Sequence, residues 1–473
     1  MKKAFILTPL FVFFSLALQA QDALQRFLQE PALKHAHVSF LLQDSESSEI
    51  ISQHNPDALA TPASVTKLFT TATALELFGG DYRFATTLET DGELLPDGTL
   101  QGNLYIVGSG DPTMGSFKQG NRNFLFTWLK KVKQFGIKKI EGQVISDLSF
   151  FNPEAINTQW IWEDIGNYYA PGIFALSYMD NTLHIQLQSG PVGSMPQISK
   201  VTPEIEGLEF ENYLKCTPIN FDGAYVHGLP LQNIRYLFGE IPANQGVFGL
   251  KGDIPNPGLL LAQHFTRLLR EANVRVSQEP AHTWKRDTTR TVIHTHLSTP
   301  LRDIVWEINQ KSNNHYAEQL FRHIGSRLAV PTSATHSINL IKSYWQTRIW
   351  DDSYFLADGS GLSPLNAISA STFVHLIQYM TQQSEHKEDF IRSLPTAGQS
   401  GTLTSFLRGT SLEGQVHAKS GTTRRIKSYG GIIRTSQGQR YTFAILVNNA
   451  SCSSKNLQYL IQNLLKDVCS ENR

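Results

Sequence analysis

Apolar positions in this chain recur in two rhythms, and the places where the rhythm changes divide it into segments. Lys2 and Lys3 precede a predominantly apolar stretch from Ala4 to Leu18, followed by Gln19-Ala20. That order predicts a secretory signal segment over residues 1–20, and the run is shorter than the ~20 residues a spanning helix needs. His37 to Leu42 leads into a polar turn at Asp44-Ser45-Glu46-Ser47 and resumes at Ile50-Ile51, which reads as a β-hairpin. Thr61-Pro62-Ala63 then predicts a helix start, with Thr61 as N-cap and Pro62 in the first turn. Val65, Leu68, Phe69, Ala72 and Leu75 give that helix one apolar face, and Gly79-Gly80 ends it.

From about Asp81 to Arg290 the rhythm shortens to alternating strands. Turns such as Asp91-Gly92, Pro96-Asp97-Gly98 and Gly108-Ser109-Gly110-Asp111-Pro112 separate them, and one amphipathic helix (Phe124 to Phe135) interrupts them. After Pro300 helical spacing returns over Leu301 to Asn309 and Asn314 to Ile324. Strand candidates follow near Val416, Ile432 and Phe443, and a last helix carries Leu457, Leu460, Ile461, Leu464, Leu465 and Val468 on one face. The expected architecture is α/β. A discontinuous domain (21–82 and 291–473) holds a five-stranded antiparallel sheet flanked by helices, and an inserted, mostly-β region (83–290) is made of two nested smaller domains.

Charge changes the picture by exclusion. With 41 Lys+Arg against 41 Asp+Glu in 473 residues, the chain is no polybasic nucleic-acid binder, and 10% aromatics supply a sizeable core. Secretion places the substrate where ATP and NAD are not freely supplied, so no cofactor is expected. His294 and His296 have no third ligand near them in sequence, and neither H-E-x-x-H nor G-x-S-x-G occurs. Cys452 and Cys469 bracket the last helix, which separates them by about 25 Å, beyond the ~7 Å a disulfide spans. Trp160, Trp162, Tyr168 and Tyr169 read as core of the insertion rather than a sugar-stacking platform. Glu163 and Asn167 mimic the E-x-x-x-N of some β-lactamases, but they precede Ser312 and lie within the insertion.

The candidate chemistry lies in three short runs. Ser64-Val65-Thr66-Lys67 puts a hydroxyl and an amine at i and i+3, which face each other on a helix. A serine needs a base beside it, and a lysine with a pKa of ~10.4 serves only if its surroundings supply roughly 4 kcal/mol against its charge. Ser384-Glu385-His386-Lys387 repeats the spacing in a charged segment with no helix-start context, and reads as a solvated turn. Lys419-Ser420-Gly421-Thr422 is the only K-[ST]-G in the chain and falls on a strand candidate. It offers a second cation, two hydroxyls for a carboxylate, and a glycine that lets a ligand approach the backbone. Ser312-Asn313-Asn314 joins two helices, with a hydroxyl able to relay a proton and an amide able to hold a peptide group.

In this order the three runs resemble the signature of serine penicillin-recognising enzymes. The chain is similar to the class C low-molecular-mass penicillin-binding proteins, the D-alanyl-D-alanine carboxypeptidase/endopeptidases. Further likeness lies in Gly108–Thr113, Gly166–Tyr169, Asp358-Gly359-Ser360-Gly361-Leu362-Ser363, the segment Leu394–Leu403, and the long gap between Ser64 and Ser312. The resemblance implies Ser64 as acyl-enzyme nucleophile, Lys67 as its proton acceptor and Ser312 as proton shuttle. Asn314, Lys419, Ser420 and Thr422 bind substrate, and the backbone N–H groups of Ser64 and Thr422 form the oxyanion hole. Asp147 matches a position that meets the free amine of a diaminopimelate side chain. The implied substrates are peptidoglycan stem peptides and cross-links in the periplasm or another extracytoplasmic space. β-Lactams are implied as covalent inhibitors, with no nucleic acid and no transmembrane anchor. The rival readings are a β-lactamase on the same scaffold and a non-catalytic wall-binding or β-lactam-sensing module.

Overall fold

The computed structural model describes residues 20–349, 351 and 353–469. Residues 1–19 of the expected signal segment lie outside them, and among the described residues no helix is long and apolar enough to cross a membrane. The chain forms two compact units. The first comprises residues up to Asp81, Leu301–Asn313, and Ile338 onward; the second comprises Tyr82–Pro300 and Asn314–Ser337.

The first unit is built on a five-stranded antiparallel sheet in the spatial order Val416–Thr423, Ile426–Arg434, Arg440–Asn448, His37–Asp44, Ile50–His54. The strands nearest the centre are buried almost throughout, because helices cover both faces. On one face the last helix (Ser454–Val468) buries Leu457, Ile461, Leu464, Leu465 and Val468, as its spacing predicts. Cys452 and Cys469 flank that helix as free thiols, and burial pushes the Cys469 thiol up to about 12.

The helix Lys67–Phe78 departs from the one-faced pattern, being buried on every side from Lys67 to Leu75. Its threonines tolerate this by bonding back to the helix, Thr71 Oγ1 to the Lys67 carbonyl (2.8 Å) and Thr73 Oγ1 to that of Phe69 (2.6 Å). Phe69 packs against Trp345, Tyr354 and Phe373, and Trp345 Nε1 donates to Thr73 Oγ1 at 2.7 Å.

In the second unit, strands Ala85–Thr90, Leu104–Val107, Val144–Asp147, Ala281–Thr283 and Thr291–Leu297 share one sheet. Strands between Thr182 and Asp253 pair only among themselves, in a three-stranded and a four-stranded sheet. The two sets nonetheless share one apolar core, in which Leu183 and Ile185 join Leu104, Ile106, Trp128 and Leu261.

The boundaries differ from the expected ones at two places. Thr291–Leu297 pairs with Ala85–Thr90, so the return to the first unit comes at Leu301 instead of residue 291. Residues 314–337, read from sequence as part of the discontinuous domain, pack within the second unit. Arg322 bonds Asn152, His323 Nδ1 bonds the Ser109 carbonyl (2.8 Å), and Thr332 N donates to the Phe150 carbonyl (3.0 Å). These partners lie far off in sequence, where periodicity carries no signal.

Candidate active site

Ser64 does not sit in a regular α-helical first turn. Residues Ala63–Thr66 form a 3-10 turn, and the α-helix proper begins at Lys67. Ala63 has φ +48°, a left-handed conformation that costs a non-glycine residue about 1–3 kcal/mol. Thr61 is therefore not the N-cap. Its Oγ1 donates to the Pro364 carbonyl (3.3 Å), and its N–H donates to Asn448 Oδ1 (3.0 Å). Two glycines hold the turn. A Cβ on Gly361 (φ +82°) would overlap the Ala63 carbonyl, and one on Gly421 would overlap the Pro62 carbonyl and stand 3.1 Å from Ser64 N. Within the turn the first donor with an acceptor is Val65 N, to the Pro62 carbonyl (3.3 Å), so the Ser64 N–H heads the turn.

Lys67 is fully buried. Its Nζ lies 3.0 Å from Ser64 Oγ and 2.5 Å from the carbonyl of Ser360. The second contact explains the Asp358–Ser363 run. Asp358, also fully buried, accepts from Gly361 N (2.8 Å), Ser363 N (2.6 Å) and Asn366 Nδ2 (2.8 Å), and so folds the loop that presents the Ser360 carbonyl. Thr70 Oγ1 adds a bond to the Gly359 carbonyl at 2.7 Å. Reading side chains alone misses Ser360, whose contribution is a backbone oxygen; the aspartate–glycine pattern around it was the available signal.

Lys419, fully buried on the outermost strand of the sheet, donates from Nζ to Ser312 Oγ (2.9 Å) and to the Ser420 carbonyl (2.8 Å). Burial first, and the ammonium of Lys67 second, hold its pKa well below the usual lysine range. Ser312 adopts φ +56° directly after the helix Leu301–Lys311, which sets its side chain apart from that helix. Ser420 Oγ donates to Thr402 Oγ1 (2.7 Å), a residue the sequence reading left without a role. On this edge strand Ala418 N points outward, to the Pro395 carbonyl (3.0 Å), so by alternation the N–H groups of Ser420 and Thr422 point outward too. Ser64, Lys67, Ser312, Lys419, Ser420 and Thr422 all belong to the first unit.

The remaining expected residues belong to the second unit. Asn314 opens the helix Asn314–Ile324, and its Nδ2 donates to the Tyr169 carbonyl (3.0 Å). Tyr169 OH in turn donates to Asp164 Oδ1 (3.0 Å), and burial raises the Asp164 pKa. Asp147 pairs with a cation of its own unit. It is buried, with Oδ2 on Arg290 Nη1 (2.6 Å) and Oδ1 on Ser149 N (2.9 Å), and Arg290 stacks on Tyr105. Trp160 is buried as expected, but Trp162 and Tyr168 are 65% and 47% exposed, so the insertion core does not claim them. Ser384, of the repeated S-x-x-K spacing, gives its hydroxyl to Glu76. Among the described residues no group of three acidic, histidine or cysteine side chains is placed to hold a metal ion.

The chain is 26% identical over 425 residues to the D-alanyl-D-alanine carboxypeptidase DacB of Haemophilus influenzae, covering 88% of this chain and 86% of that one. It is 27% identical over 459 residues to a D-alanyl-D-alanine carboxypeptidase of an Actinomadura species, covering 92% and 81%. The crystal structure of penicillin binding protein 4 from Haemophilus influenzae superposes with a TM-score of 0.82 at 24% identity, over 94% of this chain and 98% of that one. By the match of its residues 20–468 to the family model, the chain belongs to the D-Ala-D-Ala carboxypeptidase 3 (S13) family.

Proposed function

We propose that the protein is a serine D-alanyl-D-alanine carboxypeptidase and endopeptidase. Its substrates are the stem peptides of peptidoglycan and the cross-links between them, met outside the cytoplasm, and Ser64 forms the acyl-enzyme. The observation that carries this reading is the pair of amine–hydroxyl contacts, Lys67 Nζ to Ser64 Oγ at 3.0 Å and Lys419 Nζ to Ser312 Oγ at 2.9 Å.

Each residue then has a chemical task. Ser64 Oγ attacks the penultimate D-Ala carbonyl carbon while its proton passes to neutral Lys67. Two ammonium groups in one dry pocket repel, so the pair disfavours double protonation and leaves one amine free to accept a proton. The N–H groups of Ser64 and Thr422 receive the oxyanion, a contribution of about 2.7–4 kcal/mol per donor. The C–N bond breaks, Ser312 relays the proton to the leaving amine, and terminal D-Ala or the cross-linked amine departs. Water attacks the ester, gives its proton back through Lys67, and restores Ser64. Lys419, Ser420 and Thr422 hold the terminal carboxylate, and Asn314 holds the peptide group.

For the free amine of the stem-peptide side chain, Asp164 is a better candidate than Asp147. It lies on the segment bonded to Asn314 through Tyr169, whereas Asp147 is consumed by Arg290. β-Lactams should acylate Ser64 and leave slowly. A fluorescent penicillin is expected to label the wild type and not Ser64→Ala, and digestion of muropeptide dimers read by mass is expected to give monomers and free D-Ala. Labelling that persists in Ser64→Ala would overturn the nucleophile assignment.

A further inference from the structure

The second unit holds a cleft of about 410 Å³ that the reaction described above does not use. Three tyrosine rings line it, Tyr168, Tyr169 and Tyr225, together with Asp222 and Lys251. The Lys251 ammonium lies 5.4 Å from the centre of the Tyr168 ring. From Tyr225 an aromatic row continues over the outward face of the four-stranded sheet. Tyr225 pairs in register with Phe238, and His227 with Tyr236. Trp162 lies parallel to His227, with centroids 6.4 Å apart and planes within 9°. Tyr225, Tyr236, Phe238 and Trp162 are 37%, 39%, 40% and 65% exposed.

Several physical features choose the ligand. A single chain rarely leaves so many rings contiguous in water unless they bind something. The cleft combines rings and hydrogen-bonding groups with few aliphatic side chains, the make-up of a site for a polar molecule with flat C–H faces. One carboxylate and one ammonium cancel, which favours a neutral ligand over an ionic one. Exposed Glu209, Glu211, Lys215 and Glu240 are interleaved on the same small sheet, unlike the dry core of a subunit interface. Finally, the Tyr169 wall is bonded through its carbonyl to Asn314, so the cleft and the S-x-N residue are one hydrogen-bonded piece. In the function proposed above Asn314 meets the peptide, so a ligand in the cleft would be bound by residues hydrogen-bonded to a peptide-binding side chain.

We infer that this cleft and its aromatic row bind a neutral, N-acylated pyranose chain, the saccharide backbone that carries the peptide substrate. The inference rests on the function proposed above and adds a second anchoring point to it.

Gly249 supplies the test. It lines the cleft, and a Cβ built there meets nothing within 4 Å, so the side chain of Gly249→Leu starts in open space and intrudes on the cleft. The full chain is titrated with a β-1,4-linked N-acetylglucosamine tetramer, followed by Trp fluorescence and calorimetry. Saturable binding weakened about tenfold or more by Gly249→Leu, and likewise by Trp162→Ala, is the expected result. Hydrolysis of a short soluble D-Ala-D-Ala peptide is expected to stay unchanged in both variants, while hydrolysis of intact wall polymer falls. Equal tetramer binding by wild type and variants, or none by the wild type, overturns the inference. So does binding of a zwitterionic dipeptide in place of the tetramer, or an oligomeric state that shifts in Trp162→Ala with no change in tetramer binding. Penicillin labelling of the wild type reads Ser64 separately, so failure of the functional reading is distinguishable from failure of the cleft.

Discussion

Adding one methyl group at Gly421 tests the whole convergence on Ser64. The Cβ of Gly421→Ala would overlap the carbonyl oxygen of Pro62 and crowd Ser64 N and Val65 N at 3.1 Å each. All three obstacles are backbone, on a turn already held in a left-handed conformation at Ala63. The turn must therefore retreat by roughly 1 Å to restore ordinary contact. Overpacking of this kind costs about 1–3 kcal/mol of stability. A 1 Å displacement of reacting groups costs about 100-fold in rate, or ~2.7 kcal/mol. The assay is the second-order rate constant for acylation by a chromogenic β-lactam, beside a denaturant unfolding curve. Gly430→Ala is the control: its Cβ meets only side-chain methyls of Val65, Ile377 and Leu68 at 3.3–3.6 Å, which can yield. Gly421→Ala is expected to lose about two orders of magnitude in acylation and Gly430→Ala less than tenfold. Equal acylation of Gly421→Ala and wild type, or an equal loss in both variants, would refute the claim that this glycine sets the position of Ser64.

Other outcomes follow from the same contacts. Because burial first and Lys67 second depress the pKa of Lys419, the unfolded chain holds a proton there more tightly than the folded one. Its contribution to stability is complete only above the unfolded value of ~10.4 and is lost as pH falls. Lys419→Met should therefore gain stability relative to wild type as pH is lowered from about 10 to about 7, read by urea unfolding; a gap that moves the other way contradicts the depressed pKa. Asp358→Ala strands three buried donors and is expected to cost about 3 kcal/mol or more, with slower acylation because the Ser360 carbonyl loosens on Lys67; unchanged acylation would show that the loop does not position the lysine. Arg290→Met leaves Asp147 charged and unpaired and should cost about 3–5 kcal/mol, while kcat/KM on a soluble D-Ala-D-Ala peptide stays near wild type; a large kinetic loss at intact stability would return Asp147 to the substrate. Asp164→Asn should raise KM for peptides with a free side-chain amine and not for their N-acetylated counterparts, and equal effects on both would remove it from recognition.

Much of the first unit was legible because its signals are local. The hairpin at His37–His54, the last helix and the three C-terminal strands announce themselves by period, and the K-S-G run is rare enough to stand out. The turn at Ser64 was not legible. Thr61-Pro62-Ala63 satisfies every helix-start rule, yet Gly361 and Gly421, both hundreds of residues away, press the backbone into a 3-10 turn instead. The partner of Asp147 was not legible for a related reason, since nothing near it in sequence announces Arg290. The Ser360 carbonyl is invisible to any reading of side chains. Trp162 misled in the opposite sense: its neighbour Trp160 is core, and composition cannot separate the two.

The sheet has an order of assembly written into it. Its first strand pairs along its whole length with Arg440–Asn448, and the Thr61 N–H waits for Asn448, 387 residues further on. The first strand has its hairpin partner Ile50–His54 at once, but its other edge finds a partner only when the last stretch of chain arrives, the slowest kind of closure. Lys419 and Gly421 arrive with that stretch. Until then Ser64 is an ordinary alcohol on an unbraced segment, with no second amine beside its lysine. The nucleophile is armed by completion of the polypeptide, so an unfinished or clipped chain carries the serine without its reactivity.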